Sequence, residues 1–166
     1  IPKALPFYTH KGAKACLSQH YLCSFHIEGV RYNCTEQFMM AMKARLFGDK
    51  TSEELIMSAT DPAVQKRLGR KVSPFDETVW SNAALGIVIA GNLAKFSQNI
   101  SLREFLVSTM PAVLIEASPY DTIWGVGRGE VEARDITLWQ GRNLLGFALM
   151  EVRQKIIEWM ATLSNS

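Results

Sequence analysis

From Thr35 to Ser108 the chain reads as helix after helix, and strand-like segments occur only before and after that run. This order constrains the fold more than any other feature. Helices and strands that alternate regularly build a doubly wound parallel sheet. These do not alternate, so the expected class is a helix-rich α+β domain with a small sheet. Thr35 precedes the first helix as an N-cap, residues 38–47 carry its apolar rhythm and Gly48 stops it. Thr51 or Ser52 caps a second helix, with Glu53 and Glu54 at its positive end. Asp61-Pro62 opens a third that ends near Gly69. The spacing of Trp80, Ala84, Ile87, Val88 and Leu93 predicts a long helix over 77–97, and Ser101 caps another over 102–108. Ahead of the run, residues 5–9 read as a strand after Pro2. Residues 21–27 and 30–33 read as a hairpin turned at Glu28-Gly29. Beyond it, 112–117 reads as a strand and 119–141 as mostly loop. A closing helix over 143–160 carries Leu145, Leu149, Val152, Ile156 and Met160 on its apolar stripe.

At 166 residues the chain suits one domain, 1–166. A hydrophobic share of 48% against 20% charged residues is globular, and a net charge of +2 lacks the clustered basic character of nucleic-acid binders. The longest apolar stretch, 83–90, is well short of the roughly 20 residues a membrane span needs, and reads as a buried helix. The first residue is Ile1 rather than Met, which points to a longer N-terminal region having been trimmed. Cys16, Cys23 and Cys34 are odd in number and lack CxxC spacing, as expected of reduced thiols in a cytoplasmic or nuclear protein. Together with His10, His20 and His26 they fit no zinc pattern, and no metal is expected. His20 and His26 read as structural or surface groups.

Chemistry is sought where polar residues interrupt apolar patterns. On the first helix Phe38, Met39, Met42 and Leu46 form a core face, while Gln37, Ala41, Ala44 and Arg45 form the wet one. A third stripe mixes Glu36 and Lys43 with Met40 and Phe47. Glu36 and Lys43 share a direction about 10 Å apart along the axis, too far for an ion pair of adjacent turns but suited to one pocket. The alternative is that both reach water. Glu116 ends an apolar strand, and Asp121 and Trp124 follow in a tight turn. A carboxylate beside an indole suits a flat ring and a developing positive charge; equally, it is a turn Asp bonded to backbone beside a core Trp. Gly125, Gly127 and Gly129 let backbone approach a ligand but match neither a dinucleotide fingerprint nor a Walker loop. Arg128 and Arg142 are candidate phosphate holders, Asn143 is a default N-cap, and Lys95 meets a helix C-terminus. Cys34 beside Glu36 is a weak nucleophile candidate without a histidine close in sequence.

In order and spacing the chain resembles the YbiA-like, or NADAR, family from Pro6-Phe7-Tyr8 to Glu151-Val152-Arg153. The resemblance rests on Leu17-Ser18-Gln19-His20-Tyr21, Thr35-Glu36-Gln37-Phe38, Ala41-Met42-Lys43-Ala44, Leu68-Gly69-Arg70, Trp80, Lys95-Phe96 and Leu106-Val107-Ser108-Thr109. It continues in Leu114-Ile115-Glu116, Asp121-Thr122-Ile123-Trp124-Gly125, Gly141-Arg142-Asn143-Leu144-Leu145-Gly146 and Leu149-Met150. It implies a compact helix-rich fold with a small sheet and hydrolysis of an N-glycosidic bond without cofactor or metal. The implied substrates are the phosphoribosylamino-pyrimidines of early riboflavin synthesis or, alternatively, ADP-ribose on guanosine, free or in nucleic acid. A non-catalytic ADP-ribose or nucleotide reader is a further alternative. The implied catalytic set is Glu36, Lys43 and Asp121. Glu36 stabilises a cation or activates water, and Asp121 meets ribose hydroxyls. Lys43 serves as a Schiff-base amine, a proton donor or a phosphate ligand. Trp124, Lys95, Glu116, Asn143, Gln19, Trp80 and Arg128 are the implied substrate contacts. The sequence departs from the family pattern where Ser18-Gln19-His20 replaces Ser-Asn-Phe and where Thr109-Met110 replaces Thr-Gly.

Overall fold

The computed structural model describes residues 3–165; Ile1 and Pro2, the latter ahead of the first strand, lie outside the described residues. In chain order the elements are β1 (Ala4–Phe7), β2 (Phe25–Ile27), β3 (Val30–Tyr32), α1 (Thr35–Leu46), α2 (Lys50–Ser58), α3 (Pro62–Gly69), α4 (Glu77–Gln98), α5 (Ile100–Ser108), β4 (Val113–Glu116), α6 (Glu130–Ala133) and α7 (Leu144–Ser164). The helix-rich α+β class is as expected. Its sheet component is two separate pairs, β1 with β4 and β2 with β3. The chain forms two compact units. One is Gln19–Lys95; the other joins the residues before Gln19 to those from Phe96 onward.

In the Gln19–Lys95 unit, β2 and β3 pair antiparallel with Phe25 opposite Tyr32. Glu28 and Gly29 turn the hairpin with φ of 51° and 80°, the left-handed pair that a two-residue turn of this hand requires. Phe25 and Tyr32 are buried, and the Phe38 ring meets Tyr32 edge-on at 5.0 Å. Helix α1 starts at Thr35 rather than at Phe38. Its N-cap is Cys34, whose Sγ accepts the Gln37 N–H. Asp49, not Thr51 or Ser52, caps α2, because its carboxylate takes both the Ser52 N–H and the Ser52 hydroxyl. Asp61 caps α3 as expected. Helix α1 packs against both α2 and α3. The supposed wet face is therefore mostly interior: Gln37, Ala41 and Ala44 are buried and only Arg45 is exposed, while Leu46, assigned to the core, is exposed. The Gln37 amide is retained there because it donates to the Ile56 and Ala59 carbonyls, which close the end of α2. By length and composition alone α4 could cross a membrane. Its Asn92 and Lys95 are nevertheless buried in the fold.

In the other unit β1 and β4 run parallel, from Ala4 opposite Val113 to Phe7 opposite Glu116. Helix α7 packs on β4 and α5, burying Leu145, Leu149, Val152 and Ile156. Met160, expected on the same stripe, is exposed because α7 runs past the elements it covers. The stretch read as loop holds α6 and a 3-10 turn, Ile136–Leu138. Buried Arg153 donates to the Ala112 carbonyl and the Thr109 hydroxyl, tying α7 to the chain entering β4.

Candidate active site

Five of the residues singled out in sequence, Gln19, Glu36, Lys43, Trp80 and Lys95, lie in the Gln19–Lys95 unit. Glu36 occupies the first turn of α1, where the helix dipole favours a carboxylate. Its N–H and the Thr35 hydroxyl both donate to the Gln19 carbonyl, at 3.0 and 3.3 Å. These two hydrogen bonds to one carbonyl strap the 19–20 segment onto the helix start. His20 Nε2 thereby comes to 3.9 Å from Glu36 Oε2. Glu36 is buried, its side chain 8% exposed.

Two turns on, the Lys43 ammonium lies 4.8 Å from the Phe75 ring centre and 5.5 Å from that of Trp80. Burial pulls its pKa below that of an ordinary lysine; the Glu77 and Glu36 charges oppose the shift, and Arg70 adds to it. The shared stripe therefore places Glu36 and Lys43 within electrostatic reach of each other. Lys95 is fully buried, with Nζ 5.7 Å from the centre of the Tyr21 ring. Burial pushes the Cys34 thiol up to about 12, and the Glu36 charge adds to the shift. Its Sγ already donates to Gln65 Oε1, so Cys34 is a neutral helix cap and not a nucleophile.

Two residues here were missed in sequence. Asn92 donates from Nδ2 to Gln19 Oε1 and to the Val88 carbonyl, both at 2.9 Å, and so fixes which way the Gln19 amide faces. An amide inside the apolar run of α4 was the available signal. His20, read as structural or surface, stands beside the Glu36 carboxylate, a proximity that only the strap creates.

The remaining five, Glu116, Asp121, Trp124, Arg128 and Asn143, lie in the other unit. Asn143 is not a side-chain cap. It sits in the left-handed region at φ 54°, fully buried, and its amide completes β4: Oδ1 accepts the Glu116 N–H and Nδ2 donates to the Leu114 carbonyl. It thus sets the position of Glu116, half-buried at the strand end. Asp121 Oδ1 accepts the Ile123 and Trp124 N–H groups, the backbone-bonded turn that was its alternative reading. Trp124 is half-buried on that turn. Arg128 donates to the Leu138 carbonyl and pairs with Glu132, while Arg142 is exposed. Gly125 is required by packing: a Cβ there would lie 2.9 Å from the Asp121 carbonyl and 3.1 Å from that of Glu116.

A helix-rich α+β fold with a buried carboxylate and a depressed lysine on one helix stripe defines a class equipped for acid–base or amine chemistry. The chain belongs to the NADAR domain family, whose model matches residues 6–157. It is 42% identical over 130 residues to N-glycosidase R617 of Acanthamoeba polyphaga mimivirus, covering 77% of this chain and 76% of that protein. It is 30% identical over 130 residues to N-glycosidase YbiA of Escherichia coli, covering 78% and 74%. The NMR structure of the E. coli protein YbiA superposes with a TM-score of 0.79 at 28% identity, over 95% of this chain and 88% of that one.

Proposed function

We propose that the chain is an N-glycosidase hydrolysing the C1–N bond of a phosphoribosylated base, with a 5-phosphoribosylamino-pyrimidine as substrate. The observation that carries this reading is the placement of buried Glu36 and Lys43 on one stripe of α1, with Lys43 set between Phe75 and Trp80, where burial draws its pKa below that of an ordinary lysine. The curated relatives named N-glycosidase support the reaction class.

A ribosylamine opens to a protonated imine at C1. The Lys43 amine adds to that carbon, and the C1–N bond to the base breaks with its electron pair staying on the base nitrogen. Glu36 carries the proton from the attacking amine to that nitrogen. The Schiff base left on Lys43, likewise protonated, takes up water, releasing the sugar phosphate as its aldehyde and restoring the amine. Trp80 and Phe75 beside Lys43 offer faces for the flat base. Asp121 Oδ1 is committed to its turn, so the chemistry is assigned to Glu36 and Lys43.

The test is base release by mass spectrometry from a phosphoribosylamino-pyrimidine and, separately, from ADP-ribosylated guanosine, with borohydride added to trap an adduct. Release from the first, loss in Glu36→Gln and a reduced sugar adduct on Lys43 are expected. Full turnover in folded Glu36→Gln or Lys43→Ala ends the assignment. Release from the second substrate alone moves the substrate to ADP-ribosyl-guanosine, and binding of either without release makes the chain a reader.

A further inference from the structure

The imidazole beside Glu36 is not used in the reaction above. Its place is set by the backbone: the Gln19 carbonyl, held by Glu36 N–H and Thr35 Oγ1, leaves the next residue facing the carboxylate at 3.9 Å. At that range the contact is an ion pair when the ring is protonated and too long for a hydrogen bond. His20 is half-buried and Glu36 buried, so solvent screens the pair less than it would a surface pair.

We propose that His20 is a positioning and charge-setting residue for Glu36, making turnover by this chain respond to the protonation of one imidazole. The proposal rests on the reading of Glu36 as the catalytic carboxylate. With His20 protonated, the pair carries no net charge, and the carboxylate is drawn toward the ring. With His20 neutral, the pair carries one negative charge, available both to the positive charge developing at C1 and to the proton leaving the amine. Turnover therefore rises with pH through the imidazole's titration, within the interval of about pH 5 to 8 where histidine switches.

Charged groups around α1 are seen through their effects on Lys43 and Cys34. Glu36 acts on Lys43 along α1, and Arg70, following α3, and Glu77 on α4 reach Lys43 in turn. Lys95 on α4 and Glu36 both act on Cys34, which stays neutral.

The experiment has two readouts. The first is kcat against pH for wild type, His20→Phe and His20→Gln. Wild type should rise by about tenfold across the imidazole's titration, the scale on which a charge partner at this distance acts. Both variants should lose that limb, His20→Gln serving if the ring of Phe perturbs the strap. The second is the titration of the His20 ring by NMR, assigned by its loss in His20→Phe and set against exposed His10 and His26. Its midpoint should fall in Glu36→Gln, where the ring loses its anionic partner. Superimposable pH profiles of wild type and both variants overturn the proposal, as does a midpoint that Glu36→Gln leaves unmoved. If Glu36→Gln shifts the midpoint yet keeps full turnover, the pairing stands while the catalytic reading of Glu36, and the role built on it, fall.

Discussion

Lys43 shows how a functional side chain is a stability liability. Its ammonium is half withdrawn from water beside Phe75 and Trp80, and its pKa is lowered mainly for that reason. A lysine with a lowered folded-state pKa binds fewer protons folded than unfolded, so stability rises with pH between its folded and unfolded midpoints. Below the folded midpoint the cost of the partly desolvated charge is fully present. Replacing Lys43 by Met removes that cost and keeps the volume. Lys43→Met should abolish base release and raise the melting temperature by about 2 °C at pH 7, with the gain shrinking as pH rises through the Lys43 titration. A melting temperature that falls at pH 7 would contradict the liability. The Glu36–Lys43 relation was legible in sequence because it is a matter of helical geometry within one element. The His20–Glu36 relation was not, because it depends on a carbonyl of the preceding segment finding the first turn of α1. Asp121 is the converse case: its spacing to Trp124 is as readable as a turn as it is as a site, and its Oδ1 makes the turn.

At the scale of elements, boundaries shifted where a cap came from an unexpected residue type, and faces were misread where two neighbours cover one helix. A thiol is not among the preferred N-caps, so Cys34 carried no signal for the start of α1. Gln37, Ala41 and Ala44 looked wet because periodicity reports one core face, whereas α1 meets both α2 and α3. The junction of β4 and α7 shows which small residues are structural. A Cβ on Gly146 would lie 2.2 Å from the Leu114 carbonyl oxygen and 2.4 Å from both amide atoms of Asn143, which themselves bond to β4. A Cβ on Gly69 would lie 1.9 Å from Met40 Sδ, the far part of a flexible side chain that can swing aside. Gly146→Ala should therefore cost more than about 3 kcal/mol or prevent folding, and Gly69→Ala about 1–2 kcal/mol. Urea denaturation of the two variants checks the order, and equal costs would mean that the α7–β4 junction yields as easily as a methionine.

At the scale of the whole chain, the two units ask different things of folding. In the Gln19–Lys95 unit the helices α1, α2 and α3 follow one another through short connections, and the caps Asp49 and Asp61 are local in sequence. In the other, the N-terminal strand must find a partner late in the chain: Val113 N–H donates to the Lys3 carbonyl and Ala117 N–H to that of Phe7, both at 2.7 Å. Lys3 and Val113 stand 110 positions apart. The entropy of closing such a loop is spent before the β1–β4 pair returns any hydrogen bonds or buries Phe7 and Leu114. Contacts close in sequence form sooner for the same reason. Pulse-labelled hydrogen exchange during refolding should show the amides of Met40, Ala41 and Ala44 in α1 gaining protection before those of Val113 and Ala117. Simultaneous protection of both sets would mean that the strand pair nucleates the fold despite its separation. In that case Phe7→Ala, which removes a fully buried ring from β1, should slow folding in proportion to its loss of stability; in the order argued here, it chiefly speeds unfolding.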